Sequence, residues 1–189
     1  MRWSVFILTA YVALLLQAGL ANLLAYGDSA VTPSFLLILG VFVGMWAPPR
    51  TVAWAMLVLG LLTDLTHAYP IGDVQMIYLV GPASLGYLLG ATAVCQLRSM
   101  VFRDSALALM VMVFLVGILV HLAAIALLTI RGWPWIPGEP IAGYSQTHAL
   151  VEAFKQLLYT TLLALPVGYV LQRTSALWRF EPAKPKRGR

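Results

Sequence analysis

The chain has a single cysteine, Cys95, which excludes an internal disulfide framework and any cysteine-based metal cluster; its apolar surroundings make it a packing residue. Charge is equally scarce. Only 10% of the 189 residues are charged against 61% hydrophobic, too little polar sequence to clothe a soluble core, so lipid must cover the apolar surface. Extended polar stretches are lacking too: the longest extramembrane pieces run to about 17 residues, below the ~40 at which a segment folds alone. One membrane domain over residues 1–173, followed by a basic cytoplasmic tail at 174–189, is the expected organisation.

Recognisable catalytic and cofactor motifs are also missing. The histidines His67, His121 and His148 fall on separate segments, without the one-turn spacing of zinc hydrolases or bis-histidine haem sites. "GPASLG" at 81–86 has the glycines of a phosphate loop, but Tyr87 and Leu88 stand where a Lys and a Ser or Thr would grip phosphate and magnesium. Ser84, Ser99, Ser105 and Ser145 lack a base motif, and a serine in a membrane helix ordinarily bonds backbone or a neighbour. No metal, cofactor or nucleic-acid partner is expected. The net charge of +5 is concentrated in the C-terminal "RTSALWRFEPAKPKRGR", a juxtamembrane topology signal.

What is present is a series of apolar runs. The ~20-residue length of a bilayer crossing predicts helices at roughly 3–25, 33–46, 51–67, 74–96, 105–130 and 148–172, an all-α bundle of six spans. The second, "PSFLLILGVFVGMW", is short for a crossing and must be tilted or shielded by its neighbours. The first run also has small residues after its apolar core, as a cleaved signal peptide would, but it is long and its basic flank is only Arg2. With a cytoplasmic N-terminus the inner segments hold Arg2, Arg50, Arg98, Arg103, Arg173, Arg179, Lys184, Lys186, Arg187 and Arg189, and the outer loops hold only Arg131. That asymmetry predicts both termini to be cytoplasmic. The last outer loop, "RGWPWIPGEPIAGYSQTH", is aromatic and rich in proline and glycine, as a segment lying at the interface would be.

Two features inside the spans carry information. Gly40 and Gly44 in "GVFVG", and Gly86 and Gly90 in "GYLLG", place glycines on one helix face, which makes either an internal packing seam or a partner-binding face. Intramembrane polar groups are the second. Counted from the cytoplasmic side, Asp64, Gln17, His121 and Lys155 lie at roughly 20, 21, 24 and 20 Å. One shared polar level follows, with Asp64 and Lys155 as the natural ion pair and Gln17 and His121 as supporting groups; the alternative is a snorkelling Lys155 and an Asp64 that meets water. Gly60, four residues before Asp64, lies on the same helix face and admits a neighbouring helix beside the carboxylate.

The order "PSFLLILGVFVG", a cytoplasmic turn, "GLLTDL", then "LGYLLGATAV" and a basic turn resembles MreD, the bacterial rod shape-determining membrane protein family, over residues 33–104. Gly60 and Asp64 are its signature positions; Met56 stands where the family often has a further glycine. The resemblance implies a non-catalytic scaffold of the cell-elongation and peptidoglycan-synthesis machinery in the cytoplasmic (inner) membrane. Such a scaffold binds the bitopic protein MreC and works with MreB filaments, the RodA glycosyltransferase and its partner transpeptidase. It further implies a fold similar to the S components of energy-coupling-factor vitamin transporters, and a substrate-binding subunit of that kind is the rival expectation. An intramembrane enzyme using Asp64 or His121 as acid or base is a third class. The tail's "AKPKRGR" is expected to meet anionic lipid.

Overall fold

The structure, a computed structural model, describes residues 1–24, 32–71, 75–101, 105–131 and 145–178. The loops expected around 25–31 and 132–144, and the tail beyond 178, lie outside them. Six long helices account for nearly all the described residues: α1 (Trp3–Leu24), α2 (Phe35–Trp46), α3 (Pro49–Thr66), α4 (Pro82–Leu97), α5 (Ala106–Arg131) and α6 (Gln146–Arg173). A four-residue helix α7 (Ser175–Trp178) follows α6, and two short strands, β1 (Ala68–Ile71) and β2 (Gln75–Tyr78), pair antiparallel between α3 and α4, with Ala68 opposite Tyr78 and Pro70 opposite Met76. Two helices, α5 and α6, are long and apolar enough to cross a membrane.

One expected boundary is corrected. The fourth helix begins at Pro82, not near residue 74, and residues 75–78 form a strand. Gly81 has φ 138°, a backbone that L side chains rarely adopt and that breaks any helix arriving from "QMIYLV". Pro82, whose fixed φ suits a first helical position and which has no N–H to satisfy, then starts α4.

Helix α2 is the centre of the molecule. Its sequence is apolar all round, and every residue from Phe35 to Met45 is buried, as a helix without a polar face requires. It packs on α1, α3, α4, α5 and α6, so the shielding expected for this short segment comes from five neighbours. Both its ends find partners. The Ser34 hydroxyl caps it, accepting from the Leu37 N–H at 3.3 Å, and the Ser34 N–H donates to Thr160 Oγ1 on α6 at 2.9 Å. At the other end Arg98, just past α4, donates to the carbonyls of Ala47 at 2.5 Å and Gly44 at 3.2 Å, placing a cation where the helix dipole is negative.

The glycine faces are seams inside the bundle. A Cβ on Gly40 would meet Met56 Sδ at 2.6 Å, so the Met56 side chain fills the notch that Gly40 leaves. Gly44 receives Val94 in the same way. On α4, a Cβ at Gly86 would lie 2.7 Å from the Val120 carbonyl oxygen of α5, whereas one at Gly90 would meet only the methyls of Val116 and Val120, at 3.0 and 3.1 Å.

Backbone cannot rotate away as a side chain can, so the two α4 glycines should differ. Gly86→Ala is expected to destabilise the protein by about 1–3 kcal/mol and Gly90→Ala by distinctly less. Thermal unfolding in detergent measures both; equal midpoints would mean that Gly86 does not set the spacing of α4 and α5.

Candidate functional site

Helix α4 starts with a deficit. Its N-cap, Gly81, has no side chain to accept from the first-turn N–H groups, and these donors face protein. Asp64, near the end of α3 and only 2% exposed, supplies the acceptor from outside the helix. Its Oδ1 accepts from the Ala83 N–H at 2.8 Å; its Oδ2 accepts from the N–H groups of Gly81 at 2.9 Å and Ser84 at 3.0 Å and from the Ser84 hydroxyl at 2.5 Å. Pro82 has no donor, and the Leu85 N–H closes the first intrahelical bond to the Gly81 carbonyl at 2.8 Å. Every donor of the first turn is thereby matched, by an anion placed at the positive end of the helix dipole.

Gly60 makes this approach possible. A Cβ there would fall 2.6 Å from the Ser84 Cα and 3.1 Å from both the Ala83 carbonyl oxygen and the Ser84 nitrogen. Gly60 and Asp64 form one device: the glycine admits the backbone of α4 and the aspartate, one turn on, binds it.

The expected Asp64–Lys155 ion pair is not formed. Lys155 is 50% exposed and pairs with Glu152, three residues earlier on α6, at 3.3 Å. The reason is azimuth: one residue turns a helix by about 100°, and it is Gln156, beside Lys155, that points into the bundle. Next to Asp64 lies a cavity of about 120 Å³, bordered by Ser34, Thr63, Tyr87, His121 and Gln156. Taking ~30 Å³ per water, it has space for roughly four. Tyr87 links the hydroxyls of its wall, lying 3.3 Å from Ser34 Oγ and accepting from Thr63 Oγ1 at 3.4 Å. His121 Nε2 is buried without a hydrogen-bond partner among the described residues. Asp64 and His121 are thus brought to one cavity. Gln17 is not: it lines a separate recess of about 340 Å³ with Thr66, His67 and Tyr78, where its Oε1 is also buried without a partner among the described residues.

Ser34, Ser84, Tyr87, Gln156, Thr160 and Arg98 escaped the sequence reading as site-forming groups. A signal existed for the first turn of α4 as donor, because "GP" opening a helix without a capping side chain calls for an acceptor from elsewhere, and Ser84 lies in that turn. Among the described residues, no group of three or more His, Cys, Asp or Glu side chains is placed to hold a metal ion. The arrangement is therefore suited to fixing helices and holding water or a small polar molecule. Asp64, with both oxygens engaged, is poorly placed for proton transfer. Comparison with family models, with curated proteins and with solved structures finds no match.

Removing the Asp64 carboxylate leaves four donors without an acceptor, each a loss of about 1–3 kcal/mol before relaxation. Asp64→Ala should destabilise the protein by at least ~3 kcal/mol, with Asp64→Asn intermediate because one acceptor oxygen remains. Lys155→Met should be nearly silent, and the double change should equal the sum of the singles within ~0.5 kcal/mol. A double-mutant cycle on thermal stability in detergent measures this, and a coupling above ~1 kcal/mol would reinstate the ion pair.

Proposed function

We propose that this chain is a non-catalytic scaffold of the MreD type in the bacterial cytoplasmic membrane, binding MreC and serving the elongation machinery of RodA, its transpeptidase and MreB. The observation that carries the proposal is the use made of Gly60 and Asp64, the signature positions of the resemblance. Their chemistry is absorbed in joining α3 to α4, which fits a structural acid better than a catalytic one. A membrane placement with six crossings is supported by α5 and α6 and by large apolar side chains left exposed on the outer helices, among them Ile7, Leu8 and Tyr11 on α1 and Phe154 and Leu162 on α6. The short α2 is compatible with it because α2 meets protein on every side.

One observation favours a second reading. The cavity beside Tyr87, His121 and Gln156, with an unmatched His121 Nε2, would suit the S-component-like subunit of a vitamin transporter. Affinity purification from native membranes separates the two. A bitopic MreC-type partner is expected; recovery of ATPase subunits instead would assign the chain to the transporter class.

The six-crossing topology has its own test. Reporters fused after Ser29, Gly72 and Gly143, positions outside the described residues, should all read as external, and one firm cytoplasmic reading overturns the arrangement.

A further inference from the structure

Helix α1 is the most loosely held of the six. It packs on α2 and touches α7, while no comparable packing joins it to α6. A groove of about 330 Å³ runs between them, with Val12 and Leu16 of α1 on one wall, Pro166 and Val170 of α6 on the other, and Phe35 and Leu39 of α2 behind. Its lining is almost wholly apolar; Thr9, the polar residue there, turns its hydroxyl to the Val5 carbonyl at 2.8 Å. Helix α7 joins α1 and α6 at the end where α1 begins and α6 stops: the Arg2 N–H donates to the Trp178 carbonyl at 3.1 Å, and Trp178 is buried edge-on against Phe42.

The dimensions select the occupant. From Thr9 to Leu16 the groove spans roughly 10 Å of helix axis, about a third of the thickness of the hydrocarbon. A crossing helix would need a seat near the ~30 Å thickness of the hydrocarbon, which this short groove does not offer. A single hydrocarbon chain is the better fit. Charge selects its headgroup. Arg173 stands two residues beyond the groove wall at Leu171, exposed, with its guanidinium 5.3 Å from the centre of the Tyr169 ring, and the exposed Arg2 stands at the same end of α1. The described acidic residues, Asp64 and Glu152, lie toward the opposite end of the bundle.

We propose that the α1–α6 groove is a binding site for an anionic phospholipid, one acyl chain lying between Val12, Leu16, Pro166 and Val170 and the phosphate meeting Arg173 and Arg2. This rests on the membrane placement and is independent of the scaffold role, so failure of the partner purification would leave it standing.

Native mass spectrometry of the full chain in detergent, titrated with phosphatidylglycerol or phosphatidylcholine of identical acyl chains, tests it. Phosphatidylglycerol should bind about thirtyfold more tightly, the preference expected of two arginines near an anionic headgroup. Arg2→Gln with Arg173→Gln should abolish the preference while leaving chain-dependent binding, and Val12→Trp, which fills the groove from its exposed side, should weaken both lipids. Equal binding of the two lipids by the unaltered protein, or undiminished binding by Val12→Trp, would overturn the proposal. So would efficient disulfide dimerisation of Val12→Cys in a Cys95→Ala background in native membranes, which would assign the groove to a second copy of the chain.

Discussion

The unsatisfied N-terminus of α4 is the constraint around which this bundle is built. A helix that begins Gly81–Pro82 brings backbone donors and no capping side chain, and packed against α3 it turns them toward protein. The acceptor must come from another helix, and a carboxylate is the strongest one available because it accepts several bonds and opposes the helix dipole. Holding an acid there requires α3 and α4 to approach closely, which explains the missing side chain at Gly60. Close approach fixes the face of α4 that carries Tyr87 toward the cavity and the face that carries Gly86 and Gly90 toward α5. From one capped helix end, the positions of three helices follow.

The same accounting governs α2. With twelve residues it is about 18 Å long, shorter than its neighbours, so both its ends fall among side chains. Ser34, Thr160 and Tyr87 gather at its start and Arg98 at its finish. Arg98 thus does two things. On the topology proposed above its charge belongs to the inward-facing basic set that orients a membrane protein, and its guanidinium binds the carbonyls of the most deeply buried helix.

Much of this was legible in the sequence, and the limits are instructive. Apolar run length located α1, α2, α3, α5 and α6 to within a few residues, because length and periodicity report burial directly. The pairing of Gly60 with Asp64 on one face, and close helix approach beside the carboxylate, followed from four-residue spacing. The start of α4 did not, since "QMIYLV" is as apolar as a helix and only the Gly81–Pro82 step marks the break. The expected Asp64–Lys155 pair rested on depth along the helix axis, but depth is one coordinate of a helical residue and azimuth the other. Azimuth depends on which neighbours pack where, and in α6 that single step of rotation turned Gln156 inward and left Lys155 with Glu152.

The polar level itself then acquires a different explanation from the one an intramembrane acid first suggests. On the membrane placement proposed above, α5 and α6, at 26 and 28 residues, run the full thickness, while α2 and α4, at 12 and 16, begin and end within it. Each short helix leaves backbone groups at mid-depth, and hydrocarbon cannot satisfy them. The remedy is to recruit side chains from other helices to those depths: Asp64 from α3, Thr160 from α6 and Tyr87 from α4 itself. The N-termini of α2 and α4 face the same end of the bundle, so their partners collect in one place and enclose the small cavity beside His121. Polar residues at one depth are what two short helices require of the rest of the bundle. A catalytic acid would keep a free oxygen toward the cavity, whereas Asp64 directs both at the backbone of α4. For that reason the acid is better read as part of what shapes the protein than as part of a reaction it performs.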